Sequence, residues 1–519
     1  MVRIVSFFRR QRLAGLALGL VLLLGTVVAS AQDLASFEKK TTVRKLDNGW
    51  TFIIVKRPVA PVFSFTTYVD VGSTREVPGI TGLAHMFEHM AFKGTPNIGT
   101  KNYRAEAKAI AELEAAYQAY QHARLDRNQD KEQVSQLRAR FKDLEEKAQS
   151  YVIPNEFGDI INREGGAGLN AFTNTETTGY FYSLPANKVE LMAFLESERF
   201  LHPVFREFYK ERDVVKEERR LRTESQPIGR LLEQFITTAF VAHPYKQPVV
   251  GYMSDLNSIT ITDAQAFFHR YYVPSNMVTA IVGDIDADEV IPIVEKYFGR
   301  IPAGPEPEAL RTVEPPQIAE KTVVLQDPSQ PFYAEGYHKP AATDADRAVY
   351  DAMNDILSNG RTSRLYRSLV RDKKIAIAAQ SFSSFPGEKY PGLWIAFALP
   401  ARGHTNDEVR DALRAEIERL KTEDVTDEEL RRFKTRAKAD LVRSLRSNQG
   451  LANNLVEFQQ LYGDWRELFR YIDRLDKVTK ADIRRVAGKT FKASNRTVGM
   501  IVTETAQADG GPGQATGSR

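Results

Sequence analysis

One segment of this chain recurs at a fixed offset, and that recurrence restricts the fold more than any other feature. Tyr271, Tyr272, Val273, Pro274, Ser275, Asn276 and Met277 lead into an apolar run that reaches Val282. Beginning 219 residues further on, Thr490, Phe491, Lys492, Ala493, Ser494, Asn495 and Arg496 lead into a similar run that reaches Val502. At the same offset Leu256–Thr260 faces Leu475–Thr479, and Asp263 faces Asp482. A register kept over 27 residues predicts a duplicated domain of about 220 to 250 residues.

A chain of 519 residues has room for both copies. Asp47, Asn48 and Gly49 separate strand-like Thr42–Leu46 from strand-like Trp50–Val55. Asn-Gly supplies the positive φ angles of a tight hairpin turn. Val62–Val71 reads as a third strand, and helical patterns then alternate with strand-like runs. The expected class is α+β, with two homologous α/β-sandwich domains. The expected limits are 40–300 for the first domain, 301–318 for a Pro- and Glu-rich linker, and 319–505 for the second. A Gly-, Gln- and Ser-containing tail, 506–519, is expected to be disordered. Ile110, Leu113, Tyr117 and Tyr120 recur at helical spacing, as do Val134, Leu137, Phe141, Leu144, Ala148 and Tyr151. Polar Asp126–Asp130 lies between them, so residues 103–151 read as an inserted antiparallel helical hairpin.

Arg3, Arg9, Arg10 and Arg12 precede apolar Leu13–Val28, and Ala29, Ser30 and Ala31 follow. This order predicts a signal peptide over 1–31, cleaved to leave no stable membrane insertion. The mature chain is expected outside the cytoplasm, in a periplasm first and secreted second. It has eight histidines and no cysteine. Any metal must therefore be held by imidazole and carboxylate. The net charge of +4, with Lys and Arg dispersed along the chain, argues against a nucleic-acid partner.

Thr81–Lys93 reads as a helix, with Thr81 as its cap and Gly94 at its stop. It contains His85, Met86, Phe87, Glu88 and His89. Positions i and i+4 share a helix face, so both histidines can aim at one ion. Glu88 sits beside them, where a base for an attacking water belongs. Met86, Phe87 and Met90 tie the helix to a core. A catalytic tetrahedral site needs a third protein ligand. Downstream, 211–218 is strongly helical, and Glu211 and Glu218 lie two turns apart on one face. Spacing does not choose among Glu211, Glu217 and Glu218.

Three stretches carry a family resemblance: Gly82–Met90 with Phe92–Thr95, Glu211-Arg212 with Val215 and Glu218, and Asn170–Thr173. From about Thr42 to Thr505 the chain resembles the pitrilysin, insulin-degrading enzyme and mitochondrial processing peptidase family of inverted HxxEH zinc peptidases. The resemblance implies one Zn2+ per chain on His85, His89 and Glu218, with Glu88 as base and Glu211 as a supporting carboxylate. It implies that Asn170, Ala171 and Phe172 lie on an edge strand that pairs with peptide substrates. The function it implies is a zinc-dependent endopeptidase acting on peptides or unfolded segments in a closed chamber. The alternative is a non-catalytic or partner-dependent subunit of a peptidase-like heterodimer.

The gap of 129 residues from His89 to Glu218 exceeds the family's usual spacing, and the hairpin accounts for the excess. In the second copy Asp351–Leu357 replaces the motif and Ala437 falls opposite Glu218. Two such domains imply one half of a clamshell, which should dimerise. The family's Arg and Tyr that reach the substrate carbonyl from the opposing half are replaced here by Val370 and Ile377, with Arg371 one place off. That leaves two expectations open: a heterodimer with a non-zinc homologous chain that supplies the pair, or a homodimer that uses other groups.

Overall fold

The structure, a computed structural model, describes residues 34–504. The expected signal peptide, 1–31, and tail, 506–519, lie outside the described residues. The chain divides into Met1–Thr42 and Val43–Arg519. The first unit contributes a short helix, Leu34–Glu38.

Eleven strands form two sheets among the described residues. The first holds β1 (Thr41–Lys45), β2 (Thr51–Lys56), β3 (Val62–Val69), β4 (Ala167–Thr173), β5 (Thr178–Pro185) and β6 (Met277–Gly283). Its order is β1-β2-β6-β3-β5-β4. The second holds β7 (Lys321–Asp327), β8 (Phe332–Lys339), β9 (Ala376–Phe385), β10 (Gly392–Pro400) and β11 (Arg496–Thr503). Its order, β7-β11-β8-β10-β9, repeats that of the first without β1. In each sheet one pair is parallel, β2 with β6 and β7 with β11.

Single side chains repeat too. Thr260 and Asp263 form a capping box on helix Ile261–Tyr271, and Thr479 and Asp482 form one on helix Lys480–Thr490. Each box satisfies orphan N–H groups of a first turn. Asn276 Nδ2 donates to Tyr271 O at 2.9 Å, and Asn495 Nδ2 donates to Thr490 O at 2.9 Å.

Phe52, Ile53, Ile54 and Val55 of β2 are all buried. A strand covered on both faces reads as a continuous apolar run rather than an alternating one. One face meets helices Val189–Leu201 and Ala287–Phe298, where Trp50 packs edge-on against Phe200 and Phe298. On the opposite side, against β3 and β6, lies helix Asn448–Tyr462 from the C-terminal half. There Thr66 Oγ1 donates to Asn453 Oδ1 at 2.6 Å. The exchange is reciprocal. Helix Pro227–Ala239, from the N-terminal half, lays Leu231 and Phe235 on the second sheet at β7 and β11. Gly499 makes room for it, since a Cβ there would stand 2.9 Å from Phe235 Cδ2.

The hairpin consists of helices Tyr103–Leu125 and Lys131–Gln149, packed along each other. Buried Arg206 fixes its base, gripping Glu106 through Nε at 2.5 Å and Nη2 at 2.8 Å. Tyr117 and Phe141 pack on Tyr209 of helix Phe208–Arg219, with ring centroids 4.2 and 5.3 Å away. Residues 302–318 carry no helix or strand. No described helix is long and apolar enough to cross a membrane.

Candidate metal centre

The motif helix spans Leu83–Met90, shorter at both ends than the sequence predicts, and Thr81 is not its cap. Gly82 takes that position with φ 95, and a Cβ there would lie 2.7 Å from Val250 O. Thr81 Oγ1 instead donates to Asp255 Oδ2 at 2.7 Å. The orphan N–H groups go to buried Glu76: Oε2 accepts from Gly82 N and Oε1 from Ala84 N, both at 2.8 Å. Both carboxyl oxygens thus accept N–H groups that have no partner within the helix. Burial pushes the Glu76 carboxyl up to about 8, against the pull of its two donors. No local pattern marks Glu76 as the partner of this first turn, because it arrives from an upstream loop and not from the position before the helix.

His85 Nε2 stands 3.6 Å from Glu218 Oε2, and His89 Nε2 stands 3.3 Å from the same oxygen. All three ligand atoms lie within 4.8 Å of one another. A tetrahedral zinc with bonds of about 2.0–2.1 Å keeps its ligand atoms roughly 3.3–3.4 Å apart. The two imidazoles and one carboxylate therefore fit such an ion. The other Glu218 oxygen pairs with Arg222. Burial pushes the His85 imidazole down to about 4, outweighing the nearby Glu218 carboxylate, so the ring is neutral near pH 7. Neutral imidazole is the form that ligates metals.

Glu211 stands behind His89, with Oε2 3.5 Å from His89 Nδ1 and Oε1 2.5 Å from Lys93 Nζ. Burial works against its charge, but His89 and Lys93 together hold its pKa below the usual carboxylate range. The hydrogen bond to Glu211 raises the pKa of His89 in turn. With Nδ1 so engaged, Nε2 is left facing Glu218. Glu217, the third candidate in the sequence, has a side chain 63% exposed and pairs with Arg220. Glu88 lies beside the triad, its Oε2 3.9 Å from His85 Nε2. Burial raises its pKa, opposed by hydrogen bonding to Thr173.

Thr173 ends β4, an edge strand of the first sheet. Asn170 is exposed on it, Ala171 points into the core, and Phe172 packs edge-on against Tyr68 at 5.5 Å. The structure thus brings His85, His89, Glu211, Glu218 and Glu88 together and sets the edge strand next to Glu88.

In the second half, helix Arg347–Ser358 follows β8 as the motif helix follows β3. Asp355 stands on it with Oδ1 2.5 Å from Arg436 Nη2, and Ala437 is the next residue. A guanidinium there balances the carboxylate. Val370 is half-buried, and Ile377 is exposed on β9.

A HxxEH helix crossed by a glutamate-bearing helix under a mixed sheet defines the inverted zinc-peptidase class. The profile of the insulinase family, peptidase family M16, matches residues 51–149, and that of the M16 inactive domain matches 258–437. The chain belongs to peptidase family M16. It is 29% identical over 501 residues to the zinc protease PqqE of Helicobacter pylori, covering 95% of this chain and 99% of that one. The crystal structure of a protease from Helicobacter pylori superposes with a TM-score of 0.73 at 26% identity, over 89% of this chain and 99% of that one. The peptidase M16 inactive domain structure from Pseudomonas fluorescens gives 0.70 at 16% identity, over 90% and 98%, a likeness of fold.

Proposed function

We propose that this chain is an exported zinc-dependent endopeptidase that cleaves peptides or unfolded segments. The observation that carries this reading is the pair of distances, 3.3 and 3.6 Å, from Glu218 Oε2 to the two imidazoles, with Glu88 alongside. His85, His89 and Glu218 would hold one Zn2+, and residues 40–300 would be the catalytic domain, with 319–505 its inactive copy. Bound zinc supplies Lewis acidity, which acidifies water and polarises a carbonyl. Glu88 takes the proton of the attacking water on a carboxylate oxygen and delivers it to the leaving amine. Its raised pKa brings it nearer to the operating pH of such a shuttle. Glu211 holds His89 in the orientation that presents Nε2. Main-chain groups of Asn170, Ala171 and Phe172 pair with an extended substrate, which gives affinity while reading little sequence.

The test is cleavage of a quenched-fluorescent peptide by the zinc-loaded protein. Activity should vanish with a chelator. A zinc-loaded Glu88→Gln variant should lose on the order of a hundredfold or more. Undiminished activity in that variant sinks the assignment of the base. A second reading rests on Val370 and Ile377. They stand where the family's Arg and Tyr would reach the substrate carbonyl, so that a non-zinc homologous chain supplies that pair in a heterodimer. A pure, zinc-loaded single chain that turns over at full efficiency refutes that reading.

A further inference from the structure

On the face of helix Phe208–Arg219 that meets the hairpin lies a cleft of about 150 Å³. Arg124, Arg138 and Lys142 line it from the hairpin, and Arg212 and Lys216 from the helix. Two carboxylates offset these five cations, which leaves an excess of three positive charges. Glu145 pairs with Lys142 at 2.6 Å. A single oxygen, Asp213 Oδ1, serves both Lys216 at 3.2 Å and Arg212 at 3.7 Å. Arg124 spends Nε and Nη2 on one neutral acceptor, Gln121 Oε1. Neither Arg124 nor Arg138 has a carboxylate partner among the described residues.

Arg212 is built into this wall rather than laid on it. It is 6% exposed. Its guanidinium lies against the adjoining rings of Tyr117 and Tyr209, 4.7 and 4.8 Å from their centroids, and donates to Tyr117 Oη. Its Nε is buried with no hydrogen-bond partner. A buried cation with an unused donor, among cations outnumbering their acids, is an expensive arrangement unless an anion joins it.

We propose that this cleft binds a small phosphate-class dianion. Guanidinium forks match the oxygens of phosphate in pairs, and several converging cations favour two charges over one. The volume equals roughly five waters, which admits a phosphate group. The site includes no metal ligand and does not depend on the peptidase reading.

The test is calorimetric titration of inorganic phosphate into the zinc-loaded full-length protein, beside an Arg124→Gln/Arg138→Gln variant. Both arginines lie on the hairpin surface, and an unchanged melting temperature shows that the variant is folded. Saturable phosphate binding that weakens by about tenfold or more in the variant supports the site. Acetate, a monoanion, should bind more weakly to the parent protein. Three results each overturn the proposal: no binding at millimolar phosphate, binding unaltered in the variant, or binding that disappears only when zinc is removed.

Discussion

Glu76 lies outside the motif helix in sequence and against its first turn in space. Its folded pKa of about 8 exceeds the ordinary carboxyl value of about 4.3, so the folded state holds that proton more tightly. Stability from this source is therefore complete below about pH 4.3 and is lost as pH rises toward about 8. Thermal unfolding followed from about pH 5 to pH 8 should show stability falling, and the fall should flatten in Glu76→Gln. The variant should also cost about 1–3 kcal/mol near neutral pH, because the Gln amide nitrogen cannot accept the N–H that one of the two carboxyl oxygens now takes. An unchanged slope would place the effect elsewhere. Glu211→Gln tests a different role. Losing the charged partner of His89 Nδ1 should weaken zinc affinity by about 10- to 100-fold while the fold persists. Equal affinities in a competition titration would show that Glu211 does not tune the ligand.

At the scale of elements, the hairpin depends on one buried ion pair. Arg206 is 2% exposed and Glu106 is fully buried. Glu106→Ala leaves a buried guanidinium without its partner and should cost about 3–5 kcal/mol, read by urea denaturation. Replacing both residues by apolar ones of similar volume should cost far less. If the single and double changes cost the same, packing rather than charge holds the hairpin. Most elements were legible beforehand because their signals are local. Asn48-Gly49 marks a turn, Thr260 with Asp263 marks a helix start, and the heptad-like stripes mark the hairpin. The limits of the motif helix were not. Thr81 has the right chemistry for a cap, but Asp255 engages it first.

For the whole molecule, the halves hold together by lending helices to each other's sheets. Phe235 is fully buried where helix Pro227–Ala239 meets the second sheet. Phe235→Ala should destabilise by about 3–5 kcal/mol, seen as a lower melting temperature. A loss well below that range would mean the sheet-covering helix carries little of the stability. The clamshell reading adds an assembly prediction. Sedimentation of the zinc-loaded chain alone should report a dimer if it closes on itself, and a monomer if it awaits a homologous partner.

The sequence by itself determined what is written in short-range chemistry. The 219-residue offset set the duplication, because two copies of one fold keep the same caps and turns. The HxxEH spacing set two ligands and a base on one helix face, because helical geometry fixes i and i+4. Only the tertiary structure separated Glu218 from Glu211 and Glu217. All three occupy one helix, and their roles depend on its rotation against the motif helix: Glu218 meets both imidazoles at Nε2, Glu211 backs His89 at Nδ1, and Glu217 faces solvent. Tyr209 of that helix packs on Tyr117 and Phe141, contacts between segments far apart in the chain. No local pattern encodes an angle between two helices.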